Sequence, residues 1–346
     1  MIDTSAVTAS RRRIVRLWLI AVAALMVVVV LVGGATRLTE SGLSIVEWKP
    51  VVGVVPPLTT EAWQAEFSKY QAIPQYRQIN RGMTLGEFKT IFWWEWTHRL
   101  LARTVGFVFL LPFLYFLWRG WIERGLRARL WAIFGAGGAL GAVGWWMVSS
   151  GLTERVSVSQ YRLAFHLTLA CAIYAAVVWI AQRLAARPAV ATPARVRASA
   201  IVLVVLVVAQ IYLGALVAGL DAGLTYNTWP LIDGRFIPDG LLFETPLWRN
   251  AFENILTVQF NHRMMAYLVL IFAAWHAWSL QRVADDGWMT GSAWTLLLAL
   301  LAQAALGIWT LLAVVPLHLG IVHQLGAAIV FATAVWHLHT MKSRNP

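Results

Sequence analysis

The sequence predicts an all-α integral membrane protein: eight transmembrane helices, built as two tandem four-helix bundles related by a pseudo-two-fold axis. Three observations predict it. The 346 residues are 59% hydrophobic and only 13% charged, with a mean hydropathy of +0.65, too apolar for a water-soluble globule. Eight apolar runs are each long enough, at about 1.5 Å per residue, to cross a hydrocarbon core about 30 Å thick. Motifs of the first half of the chain return, in the same order, in the second.

Taken in order, Arg11, Arg12, Arg13 and Arg16 precede a first span at 17–35, which is long and lacks the small-residue site of a cleaved signal peptide. Further spans follow at 91–118, 130–149, 161–182, 199–219, 255–280, 291–313 and 320–340. Basic residues gather in alternate connections: Arg119, Arg124, Arg127 and Arg129; then Arg183, Arg187, Arg195 and Arg197; then Arg282; then Lys342 and Arg344. The positive-inside rule makes these faces and both termini cytoplasmic. It also accounts for the net charge of +12 without a nucleic-acid partner. Cys171, the single cysteine, sits inside a span, so neither an intramolecular disulfide nor a cysteine metal site is available.

The Pro/Ala/Arg stretch 187–198 reads as a cytoplasmic linker between an N-terminal bundle, 1–186, and a C-terminal bundle, 199–346. Two long outer connections, 36–88 and 220–254, are not low-complexity. The first carries Trp63, Phe67 and Tyr70 at helical spacing among Glu61, Glu66 and Lys69. That pattern predicts an amphipathic helix on the membrane surface, either plain or acting as a lid.

Matched motifs define the repeat. Ser41-Gly42-Leu43-Ser44 with Trp48 and Pro50 aligns with Ala222-Gly223-Leu224-Thr225, Trp229 and Pro230. Glu95 to Ala102 aligns with Gln259 to Ala266, Gly144-Trp145-Trp146 with Gly307-Ile308-Trp309, and His166-Leu167 with His323-Gln324. Equivalent positions are four spans apart, so both halves share one orientation and the axis runs along the membrane normal.

Four of the eight histidines belong to this repeat: His98 with His262, and His166 with His323, each a few residues from the outer end of its span. One imidazole on each of two helices, with no carboxylate or cysteine cluster beside them, suits a haem held by axial histidines; four structural histidines bonded between helices are the other reading. Arg99 and Arg263 follow the ligand candidates directly, and haem propionates would compensate such guanidinium groups. Ionisable groups at this depth cost about 2.5–3.5 kcal/mol each, which marks Glu95, His98 and Arg99 as functional. Glu95 could merely neutralise Arg99 at four-residue spacing, but Gln259 leaves Arg263 without such a partner, which favours a chemical role for Glu95. A second pattern competes: His262 and His276 are fourteen apart, as are His323 and His337, the spacing of a di-haem b-type transmembrane electron carrier. His318 and His339 read as loop or interface residues.

Through Met83-Thr84-Leu85-Gly86-Glu87-Phe88-Lys89 and Trp94-Glu95-Trp96-Thr97-His98-Arg99 the chain resembles haem A synthase, a membrane enzyme of cytochrome oxidase assembly. The likeness continues at Gly144 to Val148, Ser150-Gly151-Leu152, Tyr161 to His166, Asn227-Thr228-Trp229-Pro230, Gln259 to Arg263 and His318 to Gln324. Lacking a cysteine pair in an outer loop, it is similar to the cysteine-free subgroup. The resemblance implies oxidation of a ring methyl of haem O to a formyl group by successive hydroxylations. It implies haem O as substrate between His98 and His166, a resident haem b between His262 and His323, and Glu95 as the catalytic carboxylate. It further implies a bacterial inner membrane, with haem O synthase and oxidase assembly factors as candidate partners. One of His98 and His166 is then expected to ligate weakly or release during turnover, because iron held firmly on both faces has no place for oxygen.

Overall fold

The chain is described here by a computed structural model covering residues 4–185, 190–283 and 286–343. Ten helices order these residues: α1 (Thr4–Leu38), α2 (Thr60–Gln71), α3 (Pro74–Gln78), α4 (Leu85–Trp118), α5 (Arg124–Ser149), α6 (Gln160–Arg183), α7 (Ala194–Gly219), α8 (Ile255–Gln281), α9 (Gly287–Leu312) and α10 (Leu317–His339). All but α2 and α3 are long and apolar enough to cross a membrane, which gives the eight expected spans.

Several helices start earlier than hydropathy alone indicates. Helix α4 begins at Leu85 rather than 91 because Thr84 caps it: the Thr84 side chain accepts from the Glu87 N–H, and Glu87 Oε2 accepts from the Thr84 N–H at 2.7 Å. His98 therefore lies thirteen residues, about 20 Å, from the start of its helix. Helix α7 begins at Ala194 rather than 199, and Val190–Thr192 pairs in parallel with Met341–Ser343. The expected break at 186/187, the first part of the linker with Arg187, and Arg344 lie outside the described residues.

Helix α2 does not rest its apolar face on the membrane surface. Trp63 meets Phe92 at a ring separation of 4.9 Å, and Phe67 and Tyr70 meet Phe88 at 5.0 and 5.4 Å, so the face is buried against the capped extension of α4. Burial of aromatic area inside the protein outcompetes an interfacial resting place.

Helix α1 packs against α4 and α6, and α5 against α4 and α6; α7 packs against α8 and α10, and α9 against α8 and α10. Contacts of α6 with α7, α1 with α10, and α6 with α10 join the two sets. The largest apolar core, with Leu19, Phe113, Leu130, Val177, Leu203 and Leu296, occupies the end of the helices near the N-terminus. The four repeated histidines stand on the opposite, long-loop half.

Candidate functional site

Each repeated histidine rests on a glycine of the helix before it. A Cβ on Gly33 would lie 2.8 Å from His98 Cε1; on Gly144, 3.1 Å from His166; on Gly214, 3.0 Å from His262; on Gly307, 2.9 Å from His323. Only a residue without a side chain lets the ring approach the neighbouring backbone this closely. His98 and His166 stand on α4 and α6, and His262 and His323 on α8 and α10, each pair on two helices that pack against a common neighbour.

The glycine contacts carry a prediction. Gly307→Val should push His323 off its position and lower haem content in the purified protein, read from the haem absorbance per chain. Gly138, whose Cβ would meet nothing within 4 Å, supplies the control: Gly138→Ala should leave that absorbance unchanged.

Around the histidines the halves differ. In the second, Gln210 Nε2 lies 3.1 Å from His262 Nδ1 and Gln303 Nε2 lies 3.1 Å from His323 Nδ1. In the first, Nδ1 of His98 and of His166 is buried with no hydrogen-bond partner; a backbone carbonyl one turn before the glycine approaches one ring in each half, that of Val29 at His98 and that of Gln210 at His262.

Glu95, on α4, is 3% exposed and carries four hydrogen bonds. Its Oε1 accepts from Arg99 Nε at 3.1 Å and Nη2 at 2.6 Å; its Oε2 accepts from Ser44 Oγ at 2.7 Å and from the Ile45 N–H at 2.8 Å. The ion pair considered from the sequence is thus formed, and the carboxylate also anchors the loop after α1. Arg99 in turn donates to the carbonyls of Ile45 and Glu47, and Arg263 donates likewise to those of Tyr226 and Thr228. Gln259 matches Glu95 in place but not in chemistry: its oxygen accepts from Arg263 at 2.7 Å while its Nε2 donates to the Ala222 carbonyl at 2.6 Å.

Arg99 is therefore already neutralised and fully engaged. The sequence reading overlooked Arg103, one turn further along α4, which donates to the carbonyls of Lys49 and Pro50. Neither Arg103 nor Arg263 has a carboxylate at ion-pair distance among the described residues, and each keeps one buried guanidinium nitrogen unpartnered. Arg103 in the first half and Arg263 in the second are thus cations with no ion pair among the described residues. A pocket of about 390 Å³ under α2 is lined by Lys49, Phe92, Trp96, Arg99 and Arg103. Beside it, Lys49 and Lys69 hold the Glu47 carboxyl below its usual range. Trp145 of α5 stacks on Trp48 and lies under the Arg99 guanidinium.

The alternative histidine pattern does not survive the geometry. His276 Nε2 and His337 Nε2 are hydrogen-bonded at 2.8 Å, whereas two imidazoles sharing an iron need nitrogens about 4 Å apart, twice a metal–imidazole bond of about 2 Å. Their Nδ1 atoms are met by Ser199 Oγ at 2.8 Å and Ser292 Oγ at 2.7 Å, giving a buried Ser-His-His-Ser chain across α7, α8, α10 and α9. Equal spacing along the chain concealed this, since it does not reveal that His276 and His337 reach each other across α8 and α10. His276→Ala should leave haem stoichiometry intact while lowering thermal stability by about 1–3 kcal/mol for each polar group it orphans, measurable as a fall in Tm. His339 packs on Trp179 at the same end, as an interface residue.

The donor set fits haem. Among the described residues no group of three or more His, Cys, Asp or Glu could hold a metal ion, whereas a macrocycle brings its own four nitrogens and needs only paired imidazoles. Uncompensated Arg103 and Arg263 fit the propionates such a group carries. Fold and donor set together define a multi-pass membrane protein whose repeated histidines suit a haem-type group.

Known proteins agree. Residues 16–335 match the family described as cytochrome oxidase assembly protein. The chain is 58% identical over 327 residues to "Heme A synthase" of Rhodopseudomonas palustris (strain HaA2), covering 94% of this chain and 89% of that one. It is 57% identical over 335 residues to "Heme A synthase" of Bradyrhizobium diazoefficiens, covering 96% and 93%. The chain belongs to the haem A synthase family of cytochrome oxidase assembly proteins.

Proposed function

We propose that this chain oxidises a ring methyl group of haem O to a formyl group, giving haem A for cytochrome oxidase. The observation that carries the reading is the unequal chemistry of two otherwise matched sites: only the His98/His166 pair has a carboxylate, Glu95, on its helix. Haem O is accordingly assigned to His98 and His166, and a resident haem b to His262 and His323. Bound there, haem b supplies one-electron transfer. Matched helix contacts, α1 with α4 and α6 against α7 with α8 and α10, support two bundles related by a pseudo-two-fold axis.

The residues of this chain divide the remaining work. Arg103 and Arg263, rather than the neutralised Arg99, offer charge to the propionates of the two sites. Glu95, tied to Arg99, holds the loop 41–47 over the first site. Ser44, whose hydroxyl can both give and accept, is the neighbour placed to pass a proton to Glu95 Oε2. The unpartnered rings of His98 and His166 support an imidazole that can release during turnover. With basic connections cytoplasmic, both sites face the outer side of a bacterial inner membrane, where haem O synthase and oxidase assembly factors are the expected partners.

Extraction of pigment decides the matter. Expressed in a host that makes haem O but no haem A, the protein should yield a formyl-bearing haem. Recovery of haem b alone, at two per chain, would overturn the proposal in favour of an electron carrier.

A further inference from the structure

The two bundles use the same position differently. Gln210 and Gln303 each lie one helical turn before the glycine, Gly214 or Gly307, on which the facing histidine rests. The equivalent positions in the first bundle, one turn before Gly33 and Gly144, are Val29 and Leu140. Amide side chains inside apolar spans are costly unless bonded, yet the Oε1 atoms of both glutamines are buried without a partner. Their Nε2 atoms reach the ring and the backbone carbonyl of the same histidine: Gln210 lies 3.1 Å from Nδ1, 3.3 Å from Nε2 and 3.2 Å from the carbonyl of His262, and Gln303 lies 3.1 Å from Nδ1 and 2.8 Å from the carbonyl of His323.

We infer that Gln210 and Gln303 are positioning residues that lock the two imidazoles of the resident-haem site, and that their replacement by Val29 and Leu140 leaves the substrate-site imidazoles free to let go. This rests on the site assignment proposed above. An imidazole bound to iron through Nε2 carries its proton on Nδ1, which then requires an acceptor. An amide rotated to bring the idle Oε1 onto Nδ1–H, giving up the bond of Nε2 to the histidine carbonyl, becomes that acceptor, fixing the ring plane and making the imidazole a stronger donor to iron. The first bundle has no side-chain acceptor to offer. Two sites of one ancestry thus divide into one that retains its haem and one that exchanges it.

The test uses the full-length protein in detergent, with haem retention and the midpoint potential of the resident haem as readouts. Gln303→Leu, and Gln210→Leu with it, should weaken retention about ten- to hundredfold and raise the potential of the haem that remains, since a less basic imidazole stabilises the oxidised iron less. Gln303→Glu, which restores an acceptor, should recover retention. Val29→Gln should increase the amount of substrate or product haem that co-purifies. Unchanged retention and potential in the double leucine variant would overturn the inference while leaving the site assignment standing. Haem b that is retained in a His323→Ala variant otherwise unchanged would overturn the assignment itself.

Discussion

His323→Ala empties the resident site of haem b while leaving the helices and the first site in place. The ring removed is held from two directions, by the close approach of Gly307 and by Gln303. Losing an outer partner of a metal-bound histidine typically weakens binding about 10–100-fold, so losing the ligand itself should exceed about 100-fold. Measured as haem b per chain after purification, the content should fall to a small fraction of wild type. Circular dichroism should keep the helical signal, because the packed core lies at the other end of the bundle.

Glu95→Gln is the second large effect, and the structure sharpens its cause. The carboxylate takes two hydrogen bonds on each oxygen, all from donors. An amide must turn its own N–H groups toward one of these pairs. Facing Arg99, it opposes donor to donor and leaves the guanidinium without its counter-charge; facing Ser44 and Ile45, it leaves the Ile45 N–H unmatched. Gln259 avoids the conflict because the Ala222 carbonyl is there to accept. The variant should therefore carry an unsatisfied buried group worth about 1–3 kcal/mol, and should lose the acid–base contribution of the carboxylate, about 10²–10⁴-fold in rate. Both haem signals should persist while formyl-haem output collapses. A normal rate of haem A formation would remove Glu95 from the chemistry. Ser44→Ala, which deletes one of the four bonds and keeps the ion pair, should fall between the variant and wild type in output.

The eight spans were legible because apolar runs of membrane length have few other uses, and the four histidines stood out because a repeat sorts scattered rings into two matched sets. Helix starts were less so: Thr84 and Glu87 extend α4 through capping, which hydropathy does not register. Arg99 was open to two roles, propionate partner or support, since spacing reveals neither its ion pair nor the loop carbonyls it meets, and Arg103 escaped notice because its counterpart in the repeat is Tyr267. Gln210 and Gln303 left a faint trace, a polar residue one turn before a glycine in an otherwise apolar span. Only the packing of α7 on α8 and of α9 on α10 connects each to a histidine. The fourteen-residue spacing of His276 and His337 misled in the opposite direction, since spacing along each helix is silent on how close two helices stand.

The most direct measurement is haem extraction and identification by chromatography on His166→Ala and His323→Ala proteins prepared side by side. The account predicts that the first variant loses haem O and haem A but keeps haem b, and that the second loses haem b. If both variants lose the same haem, the division of the chain into an exchanging and a retaining site is contradicted.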